Sequence, residues 1–428
     1  MKDYALRLIP IAYREDPSVL NTLIKWFLVG LLARLLFMPF AFHGDLLSTY
    51  HRSYLLIFEG SLRYLNPHET IQAIALWVIS HIVPVKDFLV WSGSTSVSNS
   101  FWLGTLDHNN IFSFIFLLKM PYLLFDIAIC ILFLHLFRNE VKIGTRVFIF
   151  WVLNPIVIFS VYVFGRFEVI PIFFILLSLY YIKENNSVAS GCLLGISIVS
   201  RYYALLLLPL LLIIFFKNWK DRILYTLWTS IPIIILNLIT RLYSDSSPSV
   251  NFVKSHFIDY VTGMNFIIEE NGQILYVFIL AYVCILLYIF YKGCNTKPLI
   301  EYCSYSTIIF LLFYSTSYFH PHYFVWFIPF LGIFYGYYHD NSIMELHCLQ
   351  IVCFMFYTFY WGQALASWMI ASINPEVLKT MTAPINFIRY FYPGLFLLNV
   401  VRSIFSAISI FMVGMILWRL KEAIPNEE

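Results

Sequence analysis

Residues 20–42, Leu20-Asn21-Thr22-Leu23-Ile24-Lys25-Trp26-Phe27-Leu28-Val29-Gly30-Leu31-Leu32-Ala33-Arg34-Leu35-Leu36-Phe37-Met38-Pro39-Phe40-Ala41-Phe42, run directly into His43-Gly44-Asp45-Leu46-Leu47-Ser48-Thr49-Tyr50-His51-Arg52. The first part is mostly apolar and has the length of about 20 residues that crosses the hydrocarbon core of a bilayer. Pro39 marks its end, and the chain leaves the membrane carrying His43 and Asp45. A carboxylate held at the membrane surface, beside a histidine and beneath a long loop, has the chemistry of a catalytic base. The plainer reading is a solvated acid at a helix end, so the rest of the chain has to decide between them.

Composition decides the class. Of 428 residues 60% are hydrophobic and 12% are charged, and the mean hydropathy is +0.78. Soluble domains carry roughly 25% charged residues, so the chain reads as a polytopic membrane protein. Backbone in lipid must satisfy its own hydrogen bonds, which leaves helices or a closed barrel. The long apolar runs lack strand alternation, so the expected fold is all-α. The net charge of +3, from 27 basic and 24 acidic residues, includes no basic cluster of the kind that binds nucleic acid. The seven cysteines lie mostly in or near apolar segments and form no Cys-x-x-Cys, as expected of small core residues. Polar residues from Lys2 to Asp16 precede the first segment, which reads as a span rather than as a cleaved leader.

Hydropathy places spans near 20–42, 111–137, 147–164, 168–182, 188–200, 202–216, 223–243, 273–291, 300–318, 322–338, 345–365 and 394–418. The fifth and sixth are nearly continuous, but charge asymmetry divides them. Short loops rich in Lys and Arg face the cytoplasm. Arg138-Lys142-Arg146, Lys183, Lys217-Lys220-Arg222, Lys292-Lys297 and Arg419-Lys421 share one side only if the chain turns at Arg201. The result is a single transmembrane domain over 1–428 with eleven or twelve spans and both termini cytoplasmic. The outer side then carries a long first loop (43–110), the smaller loops 244–272 and 366–393, and a tight turn at 318–322. Within the first loop, Ser53 to Gly60 and Thr70 to Val83 read as helices lying on the membrane surface, with Trp77 and Trp91 as interfacial anchors. The run Trp91-Ser92-Gly93-Ser94-Thr95-Ser96-Val97-Ser98 reads as a flexible loop. No internal repeat and no soluble domain are evident.

Ionisable groups inside a membrane face the bundle interior or a wet cavity. Arg34, Lys119, Asp126, Glu168, Arg201 and Arg402 fall in this class. Lys119 and Asp126 are seven residues apart, so one continuous helix would put them on one face. Their bland role is helix packing. Gly165-Arg166-Phe167-Glu168 breaks two apolar spans on the outer side and would present both charges toward Asp45, unless they are a snorkelling pair at a turn. Arg201, at the expected outer turn, could pair with a carboxylate or fork onto a phosphate. His320-Pro321-His322-Tyr323 opens another span on that side. Histidines at i and i+2 share no helix face, so hydrogen bonding to a phosphate or sugar suits them better than zinc. Tyr202-Tyr203 and Trp326 are candidates to line a sugar or polyprenyl groove.

In this order the motifs resemble the GT-C superfamily of integral-membrane glycosyltransferases. The likeness is to the GPI mannosyltransferase I type and related prokaryotic polyprenyl-phosphate-sugar enzymes, and it covers most of 20–340. It rests on five stretches. His43-Gly44-Asp45 is the first, and Lys119-Met120-Pro121-Tyr122-Leu123-Leu124-Phe125-Asp126 the second. Trp151-Val152-Leu153-Asn154-Pro155 comes ahead of Phe167-Glu168, and Ser190-Gly191-Cys192-Leu193-Leu194-Gly195-Ile196-Ser197 ahead of Arg201 and Leu208-Pro209. The last is His322-Tyr323-Phe324-Val325-Trp326-Phe327-Ile328-Pro329. Two departures stand out: one acid where many relatives show two, and a histidine as the polar residue before Tyr323.

The resemblance implies transfer of a hexose, mannose-like, from a polyprenyl-phosphate donor to a hydroxyl on a glycan, lipid or protein acceptor. Transfer would occur on the outer face with inversion. It implies Asp45 as general base. His43, Arg52, Lys119, Arg166, Glu168, Arg201, Tyr202, His320 and His322 follow as candidate substrate contacts. No residue is assigned to a metal, and a divalent cation is the one optional cofactor. The competing reading is a multi-span transporter or lipid-linked-sugar flippase, but loop mass and charge concentrate in one early loop, with no matching second half. A non-catalytic subunit of a glycosylation complex is a third reading, weakly opposed by Asp45. The expected location is a bacterial plasma membrane, with the endoplasmic reticulum as the alternative.

Overall fold

Asp16 starts the first span for a local reason. Its carboxylate accepts from Ser18 N (2.9 Å) and Val19 N (3.3 Å) while Pro17 fills the first helical position. The computed structural model describes residues 8–62, 65–85, 106, 109–243, 256–269, 272–293, 297–360, 368–377 and 394–422. The Trp91–Ser98 loop lies outside them, as do parts of the 244–272 and 366–393 loops.

The described α-helices of six or more residues are α1 (Pro17–Phe37), α2 (Gly44–Phe58), α3 (Pro67–Ile79), α4 (Ile111–Leu118), α5 (Met120–Leu136) and α6 (Val141–Leu153). They continue with α7 (Val169–Lys183), α8 (Ser187–Ser200), α9 (Leu207–Phe215), α10 (Trp219–Leu242), α11 (His256–Val261) and α12 (Val277–Lys292). The last are α13 (Pro298–Thr316), α14 (Ile328–Tyr338), α15 (Asn341–Tyr360) and α16 (Gly394–Glu422). Each expected span position contains a described helix. By length and composition, however, five described helices are able to cross a bilayer, or six when the pair bent by 45° at Pro155 counts as one. Five shorter apolar helices, of 10–17 residues, lie at the expected positions 168–182, 188–200, 202–216, 273–291 and 345–365. Breaks at Pro155, Gly165, Arg201 and Pro321 divide the apolar sequence into shorter pieces. The molecule is a polytopic membrane protein of α-helices with one correction: β1 (Asn265–Glu269) and β2 (Gln273–Tyr276) form an antiparallel hairpin.

The core is pinned by one buried polar cluster. Arg34 Nε meets Asp126 Oδ2 at 2.7 Å, and Trp151 Nε1 and Tyr162 OH donate to the same carboxylate at 2.6 and 2.7 Å. Arg34 also donates to Val152 O at 2.7 Å, so α1, α5 and α6 close around this ion pair. Lys119 does not share this site. It is the single turn residue between α4 and α5, which together make one 26-residue span, and it lies two turns before Asp126. Its ammonium donates to the carbonyls of Phe37, Ala41 and Tyr162. Three donors on three carbonyls leave nothing for a phosphate.

Gly191 and Gly195, four apart on α8, form a small-residue face against α10. A Cβ at Gly191 would stand 2.8 Å from Trp228 Cβ, and one at Gly195 would collide with the carbonyl of Thr229. This is the close backbone approach that drives helix association in lipid. The glycine stretch that carried part of the family resemblance is thus a packing device.

Contacts also sort the loops to two ends. Arg138 pairs with Glu184 (3.1 Å), Lys297 with Glu140 (3.9 Å), and Arg419 with Asp340 (2.7 Å). Tyr13 OH donates to Phe137 O at 2.9 Å. The Arg/Lys-rich turns and the N-terminal segment therefore gather at one end, as the charge asymmetry requires. At the other end Ser372 Oγ donates to Phe40 O (2.7 Å) and Arg402 to Ser317 O (2.6 Å). Helices α2 and α3 pack together there, with Ile74, Trp77 and Val78 turned outward and exposed, the face expected of a helix lying on a membrane.

Candidate functional site

The site is built on the break after α6. Pro155 restarts the helix, which loosens into a π-helical turn at Phe159–Val163. Arg166 N then donates back to Ser160 O at 3.1 Å. Gly165 sits at φ +80°, where a side chain would be strained, and a Cβ there would press on Leu46 at 3.4 Å. The first outer segment docks on this turn. His43 N donates to Phe164 O at 2.8 Å, and the His43 ring stacks on Phe164 at 4.4 Å. That docking starts α2 earlier than the sequence suggests, with His43 Nδ1 as N-cap accepting from Asp45 N at 3.2 Å. Asp45 lies in the first turn, where the helix dipole favours an anion. Its Oδ2 meets Arg166 at 3.1 Å, and the carboxylate remains 39% exposed.

Behind this pair is a second. Glu168 is fully buried; Arg201 holds its Oε1 at 2.6 Å and Trp326 Nε1 donates to its Oε2 at 2.7 Å. Arg201 is the extended residue that ends α8, so the division of the fifth and sixth expected spans places it here. Trp326 is held between Tyr203 (3.9 Å) and Tyr323 (4.2 Å). The Arg201 guanidinium lies over Phe167 at 4.4 Å. His322 approaches Glu168 to 3.9 Å without a hydrogen bond.

A third pair comes from α3. Glu69 meets Arg52 at 3.1 Å and His68 Nε2 at 3.3 Å, and the His68 ring stacks on Phe167 at 3.6 Å. The sequence reading missed His68 and Glu69. Their signal was Asn66-Pro67-His68-Glu69, a helix start carrying two ionisable residues in an otherwise apolar stretch.

Of the sequence candidates, the structure brings together Asp45, His43, Arg52, Arg166, Glu168, Arg201 and His322. His320 stacks behind His322 at 5.8 Å. Tyr203, rather than its neighbour Tyr202, supplies the ring against Trp326. Lys119 is excluded, as described above. Several buried polar atoms have no hydrogen-bond partner among the described residues: Arg166 Nε, Arg201 Nε, both ring nitrogens of His322, His68 Nδ1 and Tyr122 OH. Most buried polar atoms in proteins are paired, so these atoms keep unused hydrogen-bonding capacity at the cluster.

Electrostatics follow from the pairs. Burial works to raise Asp45, but the Arg166 guanidinium, with His43 and His322, holds its carboxyl well below the usual carboxylate range. Burial likewise works to raise Glu69, and His68 and Arg52 hold it below its ordinary value. His68 is pushed down by burial, despite Glu69, so its neutral form is favoured. A depressed folded pKa means that the unfolded chain binds the proton first, so stability falls with falling pH. For the two carboxylates this loss begins below about pH 4, and for His68 below about pH 6.5. The melting temperature should therefore fall between about pH 6.5 and pH 5, and His68→Phe, which keeps a ring on Phe167, should flatten that fall. An unchanged slope in the variant would assign the loss to other histidines.

Among the described residues no three His, Cys, Asp or Glu side chains come together as metal ligands. The carboxylates are each engaged by a guanidinium. This donor set does not fit the optional divalent cation, and no step below passes through one.

No family model, curated protein or solved structure matches this chain. Function is therefore argued from the site.

Proposed function

We propose that the protein is a membrane glycosyltransferase that moves a hexose from a polyprenyl-phosphate donor to an acceptor hydroxyl at the end of the bundle holding Asp45. The carrying observation is the cluster itself. Asp45–Arg166, Glu168–Arg201 and Glu69–Arg52 converge from four parts of the chain, with unpartnered N–H groups on Arg166 and Arg201. Guanidinium forks suit a phosphate, and the half-exposed carboxylate is the group that water-borne acceptors can reach.

In this reading the acceptor oxygen attacks the anomeric carbon as its proton passes to the Asp45 carboxylate. The bond from that carbon to the phosphate oxygen breaks, and its electron pair leaves on the polyprenyl phosphate. Arg166 and Arg201 offset the charge that gathers there. Asp45 is a weak base while Arg166 holds it. A donor phosphate that draws Arg166 away raises its basicity at the moment it is needed. The inverted product is implied by the GT-C resemblance, as is the mannose-like donor.

A transporter or flippase is less well supported. Transporter sites are built from charges within the spanning helices, and the buried pair found there, Arg34 and Asp126, is engaged by itself, by Trp151 and by Tyr162. The test is transfer by purified protein from radiolabelled polyprenyl-phosphate mannose or glucose to glycan, lipid and peptide acceptors. A labelled product of inverted configuration is expected. No transfer from any such donor, with solute or lipid-linked sugar crossing liposomes instead, would replace the enzyme reading by the transporter.

A further inference from the structure

Far from the cluster, at the Arg/Lys-rich end, a groove of about 580 Å³ opens between α9, α10 and α12. Its wall is apolar, from Leu212 and Ile213 on α9, Ile223 and Leu227 on α10, and Val283 and Leu287 on α12. It runs from Trp219 to Leu227, roughly 12 Å at about 1.5 Å per helical residue. At its mouth the Arg222 guanidinium lies over Trp219 (4.9 Å) and Phe290 (5.5 Å), and Arg222 Nε donates to Phe216 O at 2.9 Å. The arm is thus fixed, and its terminal nitrogens have no protein acceptor among the described residues. Trp219 and Tyr291 are 68% and 83% exposed, as in an interfacial aromatic belt, so this mouth sits at headgroup level.

We infer that this groove binds one anionic phospholipid of the adjacent leaflet, its acyl chain along α10 and its phosphate at Arg222. Charge complementarity selects the occupant. Arg222 is the cation that lines the mouth, and with Lys217 and Lys220 beside it in sequence it makes the start of α10 basic, while Asp221 lines a separate cavity with Asn185 and Tyr225. Basic pockets between spanning helices recognise such headgroups. The groove is remote from Asp45, so the inference stands independently of the glycosyl-transfer reading.

The experiment uses the full chain in nanodiscs of phosphatidylcholine, with and without phosphatidylglycerol. Phosphatidylglycerol should raise the melting temperature by about 2 to 5 °C. Arg222→Gln, which removes the charge, and Leu287→Trp, which fills the groove, should each abolish the rise without lowering the value in phosphatidylcholine. An equal effect of both lipids on the wild type, or an undiminished rise in both variants, would overturn the site. Should either variant fail to fold, brominated phosphatidylglycerol should quench wild-type tryptophan fluorescence more than brominated phosphatidylcholine does. That difference should vanish in Trp219→Phe; equal quenching by the two lipids would sink the proposal.

Discussion

Asp45→Asn should lower the transfer rate by about 10²- to 10⁴-fold, the range associated with loss of a positioned general base, while the melting temperature stays close to wild type. The substitution is nearly isosteric. Asn keeps an acceptor oxygen for Arg166 and suits the first turn of α2, whose cap is His43. The ion pair it replaces is 39% exposed on the acid side, and such pairs contribute little to stability. The rate effect should fall on kcat. Arg166→Gln, by contrast, should raise KM for the phosphate donor, since it removes a group assigned to binding. Transfer that persists unchanged in Asp45→Asn would remove Asp45 as base. Glu69, the first-loop acid held by Arg52, would then be the residue to substitute.

Arg34→Met should destabilise the fold by about 3–5 kcal/mol, the cost of leaving one partner of a buried ion pair uncompensated. Arg34 and Asp126 are 4% and 1% exposed, so neither has water to fall back on. The loss also strands Val152 O, which anchors α6 to α1. The double variant Arg34→Met/Asp126→Leu should recover part of the stability, because no bare charge remains, but the side chains of Trp151 and Tyr162 would still lack an acceptor. Thermal unfolding in detergent checks both. Equal stability of the single variant and the wild type would mean that the Arg34–Asp126 pair does not hold the fold. Because Lys119 grips the carbonyl of Tyr162, the damage should extend to the turn that presents Arg166.

Much of this was readable in advance, and the reasons are physical. Hydropathy located the helices because lipid-facing surface leaves long apolar runs. The groups Arg166, Glu168, Arg201 and His322 were found because each is a charge or hydrogen-bonding group at a break between such runs, all expected on one side. Spacing places Lys119 two turns before Asp126 on one span but does not show that its ammonium is taken up by the carbonyls of Phe37, Ala41 and Tyr162. Asp126 found its partner 92 residues away in Arg34, a pairing that no local spacing encodes. His68 and Glu69 were missed for a related reason. Nothing near them in sequence explains two ionisable residues in an interfacial helix; their partners are Arg52 on α2 and Phe167 beyond α6. Asn154, part of the family-like motif, turned out to cap the next helix, with its Oδ1 accepting from Ile156 N at 3.0 Å.

The paired construction of the cluster also fixes how a ligand finds it. Asp45, Glu69 and Glu168 are matched one to one by Arg166, Arg52 and Arg201, so the assembled site has almost no net field beyond its own walls. Electrostatic steering over long range depends on an unbalanced charge. An anionic headgroup would therefore be recognised on contact rather than drawn in from a distance, arriving by diffusion in the plane of the membrane. Added salt should accordingly leave the rate of encounter almost untouched.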